Sequence, residues 1–231
     1  MSGIEVASLI AAAMSVAVYG GALAWAAPRE EWQRLAIAIV AALPLPILAY
    51  HGIRAPIESV FGAPGGTLWL RAILPPLIEE PAKLAPLLLP VLLRAIRREN
   101  AWRFGVALGL GFGLGEIALL LQLLQPVQAV IGAPWTALTG FISERYIVCL
   151  THGAFAAAAL TVWRATARPF WHGLLAAIGL HFIANLPIAL ASLFIADLPT
   201  RSALLAVWLI LVWSVAIVGI IVLARESTRQ A

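Results

Sequence analysis

Apolar runs recur along the chain at 4–27, 32–50, 68–93, 102–124, 144–163, 170–195 and 202–224, parted by short stretches rich in Arg, Pro and Gly. As a helix, each run is long enough to cross a hydrocarbon core of about 30 Å. The pattern predicts an all-α polytopic membrane bundle of about seven transmembrane helices, folded as a single membrane domain over 1–231. Two stretches between the runs, 51–67 with Pro56, Pro64, Gly65 and Gly66, and 125–143, have weaker apolar patterns and read as outer loops that lie in the interface or re-enter. The first run ends in Ala24-Trp25-Ala26, but it has no basic flank and is longer than a signal core, so it reads as a retained helix.

Composition agrees with that pattern. The 231 residues are 62% hydrophobic and 11% charged, with a mean hydropathy of +0.97, which identifies the lipid bilayer as the solvent. A single cysteine, Cys149, rules out a disulfide framework within the chain. The net charge of +4 raises the question of nucleic acid, but the basic residues lie in loops and build no soluble basic face, so no nucleic-acid partner is expected. Arginines cluster on one set of alternate loops, from Arg29 and Arg34 through Arg94, Arg97 and Arg98 to Arg225, whereas the opposite set holds Arg54, Arg71 and Arg201. The positive-inside rule then places the N-terminus outside and the C-terminus in the cytoplasm. Tryptophans near the ends of the runs, Trp25, Trp32, Trp69, Trp102 and Trp171, read as interfacial anchors.

What remains unexplained by lipid is a set of ionisable residues inside the runs. Glu79, Glu80 and Lys83 fall in the third, Glu116 in the fourth, Arg145 and His152 in the fifth, and His181 with Asn185 in the sixth. A charge at the bilayer centre costs about 2.5–3.5 kcal/mol on an insertion scale, so such residues point to function. At the helical rise, Glu79, His152 and His181 each lie about 13–16 Å from a helix end, and the alternating directions of the helices bring them to one layer. Adjacent Glu79 and Glu80 point about 100° apart, so one can face a cavity while Lys83 or Arg145 holds the other. Pro81 leaves the carbonyl of Leu77 without its helical donor beside the carboxylates. The glycine series Gly105, Gly109, Gly111, Gly113 and Gly115 has no strand before it and reads as a close helix contact that draws Glu116 inward.

Glu79-Glu80-Pro81-Ala82-Lys83 resembles the EExxK motif of the PrsW family of intramembrane proteases, and Phe112-Gly113-Leu114-Gly115-Glu116 resembles its FxxxE motif. His152 after Arg145, and His181-Phe182-Ile183-Ala184-Asn185, are similar to the family's later His and HxxxN/D motifs. The resemblance covers a core of roughly 68–190. Glu116 in place of His favours PrsW over the CAAX prenyl protease branch of the same superfamily. A scaffold subunit of gamma-secretase also belongs to that superfamily, but it lacks the double glutamate that is intact here. The resemblance implies an integral protein of the bacterial plasma membrane that cuts a membrane-protein substrate, with anti-sigma factors as one substrate type.

For the chemistry, Glu79 or Glu80 is expected to act as general base on water, with Lys83 holding its partner. His152 and His181 would position the water or polarise the scissile carbonyl, and Asn185 would donate to the oxyanion. A metal-free glutamate mechanism with no cofactor is put ahead; the alternative is a zinc site drawn from Glu80, Glu116, His152 and His181, with one position left for water. Retained full activity in His181→Ala would sink both. Competing readings are a catalytically silent scaffold and a proton-coupled transporter, the latter disfavoured by the absence of an inverted repeat. His51 and His172 read as structural, and Cys149 as a core thiol.

Overall fold

A computed structural model describes residues 1–61, 70, 72–165 and 168–229. Trp69, Arg71, the 62–67 part of the expected outer loop and the first residues of the expected third helix lie outside the described residues. The described chain is helical, with no strand. Six helices are long and apolar enough to cross a membrane: α1 (Gly3–Ala26), α2 (Arg29–Phe61), α4 (Ala101–Leu124), α5 (Trp135–Arg164), α6 (Phe170–Phe194) and α7 (Leu198–Ser227). A shorter helix, α3 (Leu74–Leu84), stands between α2 and α4.

The expected third span is the one that departs from a simple rod. After α3 the chain tightens into a 3-10 turn at Ala85–Leu88 and restarts as a single turn at Pro90–Leu93. Proline explains the break. Pro90 bars Leu89 from helical geometry, and Leu89 is extended at φ −75° and ψ 117°. The expected outer loop at 51–67 is also different over its described part, because α2 does not end at Tyr50. It continues through a π-turn at Tyr50–Arg54 into Ala55–Phe61. Pro56 sits at the second residue of that last segment and has no N–H to give to a carbonyl of the π-turn before it.

Helix α4 is the central pillar, and its glycines set how close its neighbours come. A methyl group on Gly105 would strike the backbone of Ala156 and Ala157, and one on Gly109 would strike that of His152 and Gly153. Gly113 meets Cys149 in the same way, so the Gly105–Gly109–Gly113 face lies directly on α5. Gly111 and Gly115 lie on the carbonyls of Ile39 and Leu43 in α2. The glycines are thus a packing device, and Cys149 is a buried core thiol beside them. At the arginine-rich end, Arg103 grips Glu31 through two bonds of 2.8 and 2.9 Å, and Asn100 adds a third at 3.1 Å, which ties the start of α4 to the start of α2.

Gly109→Val is expected to destabilise the protein by about 3 kcal/mol, since backbone and not a movable side chain is in the way. Gly219→Ala, where a methyl meets nothing within 4 Å, should change stability by less than about 0.5 kcal/mol. Thermal unfolding in detergent compares the two.

Candidate active site

Five helices bring polar groups to one place. The C-terminal half of α2, α3, the C-terminal half of α4, the N-terminal half of α5 and the C-terminal half of α6 enclose a cavity of about 560 Å3. Glu79, Glu116, His152, His181 and Asn185 all line it. Glu80 and Lys83 do not, and both are fully buried behind it. The angle between consecutive helical residues therefore separates the two glutamates, with Glu79 facing the cavity and Glu80 held in the packing.

The buried layer is a chain of charge-assisted contacts. Lys83 Nζ donates to Glu80 Oε1 at 2.6 Å, and the same oxygen lies 2.7 Å from His181 Nδ1. Lys83 is also flanked by the rings of Phe112 and Phe155, 5.0 and 5.8 Å from their centroids. On the other side of the cavity, His152 Nε2 lies 2.8 Å from Glu116 Oε2, and Arg145 reaches Glu116 Oε1 at 3.0 Å and Glu144 Oε1 at 2.6 Å. The two imidazoles meet edge to face, 5.6 Å between centroids.

Each histidine thus has one ring nitrogen engaged by a carboxylate, His181 by the buried Glu80 and His152 by the half-buried Glu116, and the other nitrogen without so close a contact. His181 Nε2 lies 3.8 Å from Glu79 Oε2, and His152 Nδ1 is buried with no hydrogen-bond partner among the described residues. A carboxylate on the far nitrogen fixes tautomer and ring direction and makes the near nitrogen a better base or ligand. Glu79 completes the group: one donor atom from each of Glu79, His152 and His181 lies within 4.8 Å of the others.

This donor set fits a divalent cation. Two imidazoles and a carboxylate are zinc ligands, and Nδ1 of His152 is buried with no hydrogen-bond partner among the described residues. Charge fits as well. Among the described residues, the carboxylates of Glu58, Glu79, Glu80, Glu116 and Glu144 meet three fixed cations, Arg54, Lys83 and Arg145, so with neutral imidazoles the ionised carboxylates would leave an excess of two negative charges. The carboxylate grouped with the two histidines is Glu79, where the sequence offers Glu80 and Glu116; Glu80 holds His181 from behind, and Glu116 bonds His152 from the cavity wall.

Two further residues were not legible as part of the site. Arg54 bonds Glu58 at 2.8 Å and places its guanidinium 3.6 Å from Glu79 Oε1, and both line the cavity. Proline and glycine nearby made this stretch read as a loop; the i,i+4 spacing of Arg54 and Glu58 was the available helical signal. His51 is exposed on α2, and His172 stacks on Trp171 at 3.6 Å at the far end of α6.

No curated protein and no solved structure matches the chain. A family model described as PrsW family intramembrane metalloprotease matches residues 30–220, a span that contains all of α3 to α6 and every residue of the cluster. The order of the motifs, their convergence on one cavity and that match agree, and the chain belongs to the PrsW family of intramembrane metalloproteases.

Proposed function

We propose that this integral membrane protein hydrolyses a peptide bond of a membrane-protein substrate at Glu79, His152 and His181. The observation that supports this most is the pair of carboxylate-bonded histidines that each bring a ring nitrogen close to Glu79 in one cavity. A water there would lose a proton to Glu79, whose nearest partner among the described residues is Arg54 at 3.6 Å, so that its oxygens stay available. His152 and His181 orient that water, with Glu116 and Glu80 fixing their rings. Asn185, four residues after His181 on the same wall of the cavity, donates to the developing oxyanion. Glu79 then returns the proton to the leaving amine. A divalent cation held by Glu79, His152 and His181 would add Lewis acidity and make the bound water a stronger acid.

The cavity is built from the arginine-poor ends of α2 to α6. With the positive-inside orientation, it opens to the outside of a bacterial plasma membrane, and substrates of the anti-sigma-factor type fit that access. The test is cleavage of a panel of single-span membrane proteins in liposomes, with and without a chelator. Loss on chelation with recovery on zinc favours the metal scheme, and insensitivity favours a glutamate acting alone. No cleavage by a folded protein would turn the reading toward a silent scaffold. Asn185→Ala should lower kcat by about 10²-fold with little change in KM, as expected for an oxyanion donor.

A further inference from the structure

A second and much narrower opening, about 40 Å3, reaches the same two histidines from the side. It runs between α5, α6 and α7, past His152 and Phe155, His181 and Asn185, and Trp208 and Val212. Helix α7 closes it and is the least embedded of the spans: 6% of its most apolar stretch is buried, against 61% for α5 and 72% for α4. At the crevice α7 holds α6 through one indole, with Trp208 Nε1 donating to the carbonyl of Ala184 at 2.8 Å. Ala184 lies between His181 and Asn185 in sequence. One turn on, Pro187 has no N–H to give the carbonyl of Ile183. Helix α6 therefore carries, beside the catalytic histidine, one backbone acceptor used by a side chain and another that has lost its helical donor.

A membrane-spanning substrate has to unwind before one of its peptide bonds can be attacked. Each N–H freed in that way needs an acceptor, because the bilayer supplies no water. We propose that the crevice between α5, α6 and α7 is a lateral substrate site that takes an unwound stretch of a substrate's membrane span. Trp208 holds the Ala184 carbonyl in the resting state, in the place of the substrate's backbone N–H. As the substrate enters, α7 moves aside, the indole gives up that carbonyl, and the substrate backbone takes it, with Asn185 within reach of the scissile carbonyl. This rests on the protease reading above and specifies the route by which its substrate arrives.

The full-length protein in liposomes is given a photoreactive benzoylphenylalanine at Leu209 or Val212, which line the crevice, or at Val207, which is exposed on the outer side of α7. The probe is a single-span helical peptide carrying a fluorogenic pair, with a soluble peptide of the same scissile sequence for comparison. The expected result is adducts with the single-span peptide at 209 and 212 well above those at 207. Trp208→Phe, which keeps the ring and removes the N–H, should raise cleavage of the single-span peptide relative to the soluble one about fivefold, the weight of one net hydrogen bond. Adducts at 207 equal to or above those at 209 and 212 would show random collision in the bilayer and overturn the proposal, as would an unchanged cleavage ratio. Adducts at 209 and 212 in a protein that cuts neither peptide would keep the lateral site and remove the protease reading. Cleavage without such adducts would do the reverse.

Discussion

Glu79→Gln lowers the rate of substrate cleavage by about 10²–10⁴-fold, the range in which general bases contribute, with the fold intact. Glu79 faces the cavity, and its nearest polar neighbours among the described residues are Arg54 at 3.6 Å and His181 at 3.8 Å. Neither contact is short enough to be a hydrogen bond, so an amide of the same shape is tolerated structurally. What it removes is the proton acceptor and the anionic donor of the cluster. Glu80→Gln and Glu116→Gln should behave differently, because each acts through a histidine at 2.7 or 2.8 Å. Initial rates in liposomes, with melting temperatures measured alongside, separate a lost base from a lost fold.

Lys83→Met destabilises the protein by about 3–5 kcal/mol, the cost of leaving a buried carboxylate without its partner. Lys83 and Glu80 are both fully buried, and the 2.6 Å contact between them is the shorter of the two that hold Glu80 Oε1. The other Glu80 oxygen is buried as well, so bulk solvent does not reach the carboxylate to replace the ammonium. Methionine matches the length and apolar surroundings of Lys83, including the rings of Phe112 and Phe155. Glu80→Gln added to Lys83→Met should recover part of the loss by removing the stranded charge. Thermal unfolding of the two single variants and the double variant measures it.

Much of this site was legible because membrane helices constrain sequence so strongly. A Glu, His or Lys inside an apolar run stands out at once, and helical spacing alone separates Glu79 from Glu80 and aligns His181 with Asn185. The glycine face of α4 was equally readable, since small residues at every fourth position have few uses in lipid beyond close contact. The boundaries of α2 were not. A helix with a π-turn and a proline in its last segment has the composition of a loop, and the Arg54–Glu58 pair was hidden with it. Which carboxylate stands among the histidines was also beyond the sequence. Adjacent glutamates differ only in the direction they point, and that direction is set by how α3 seats, with Lys83 beside Phe112 of α4 and Phe155 of α5 and Glu80 bonded to His181 of α6.

The most direct measurement is cleavage of the single-span substrate panel in liposomes by the wild-type protein and by His181→Ala, each shown to be folded. His181 joins the two halves of the site, bonded to Glu80 on one nitrogen and open to Glu79 on the other. Cleavage of at least one substrate by the wild type and of none by the variant is the predicted result. A folded His181→Ala protein that cuts at the wild-type rate would contradict hydrolysis at this cluster, with or without a metal.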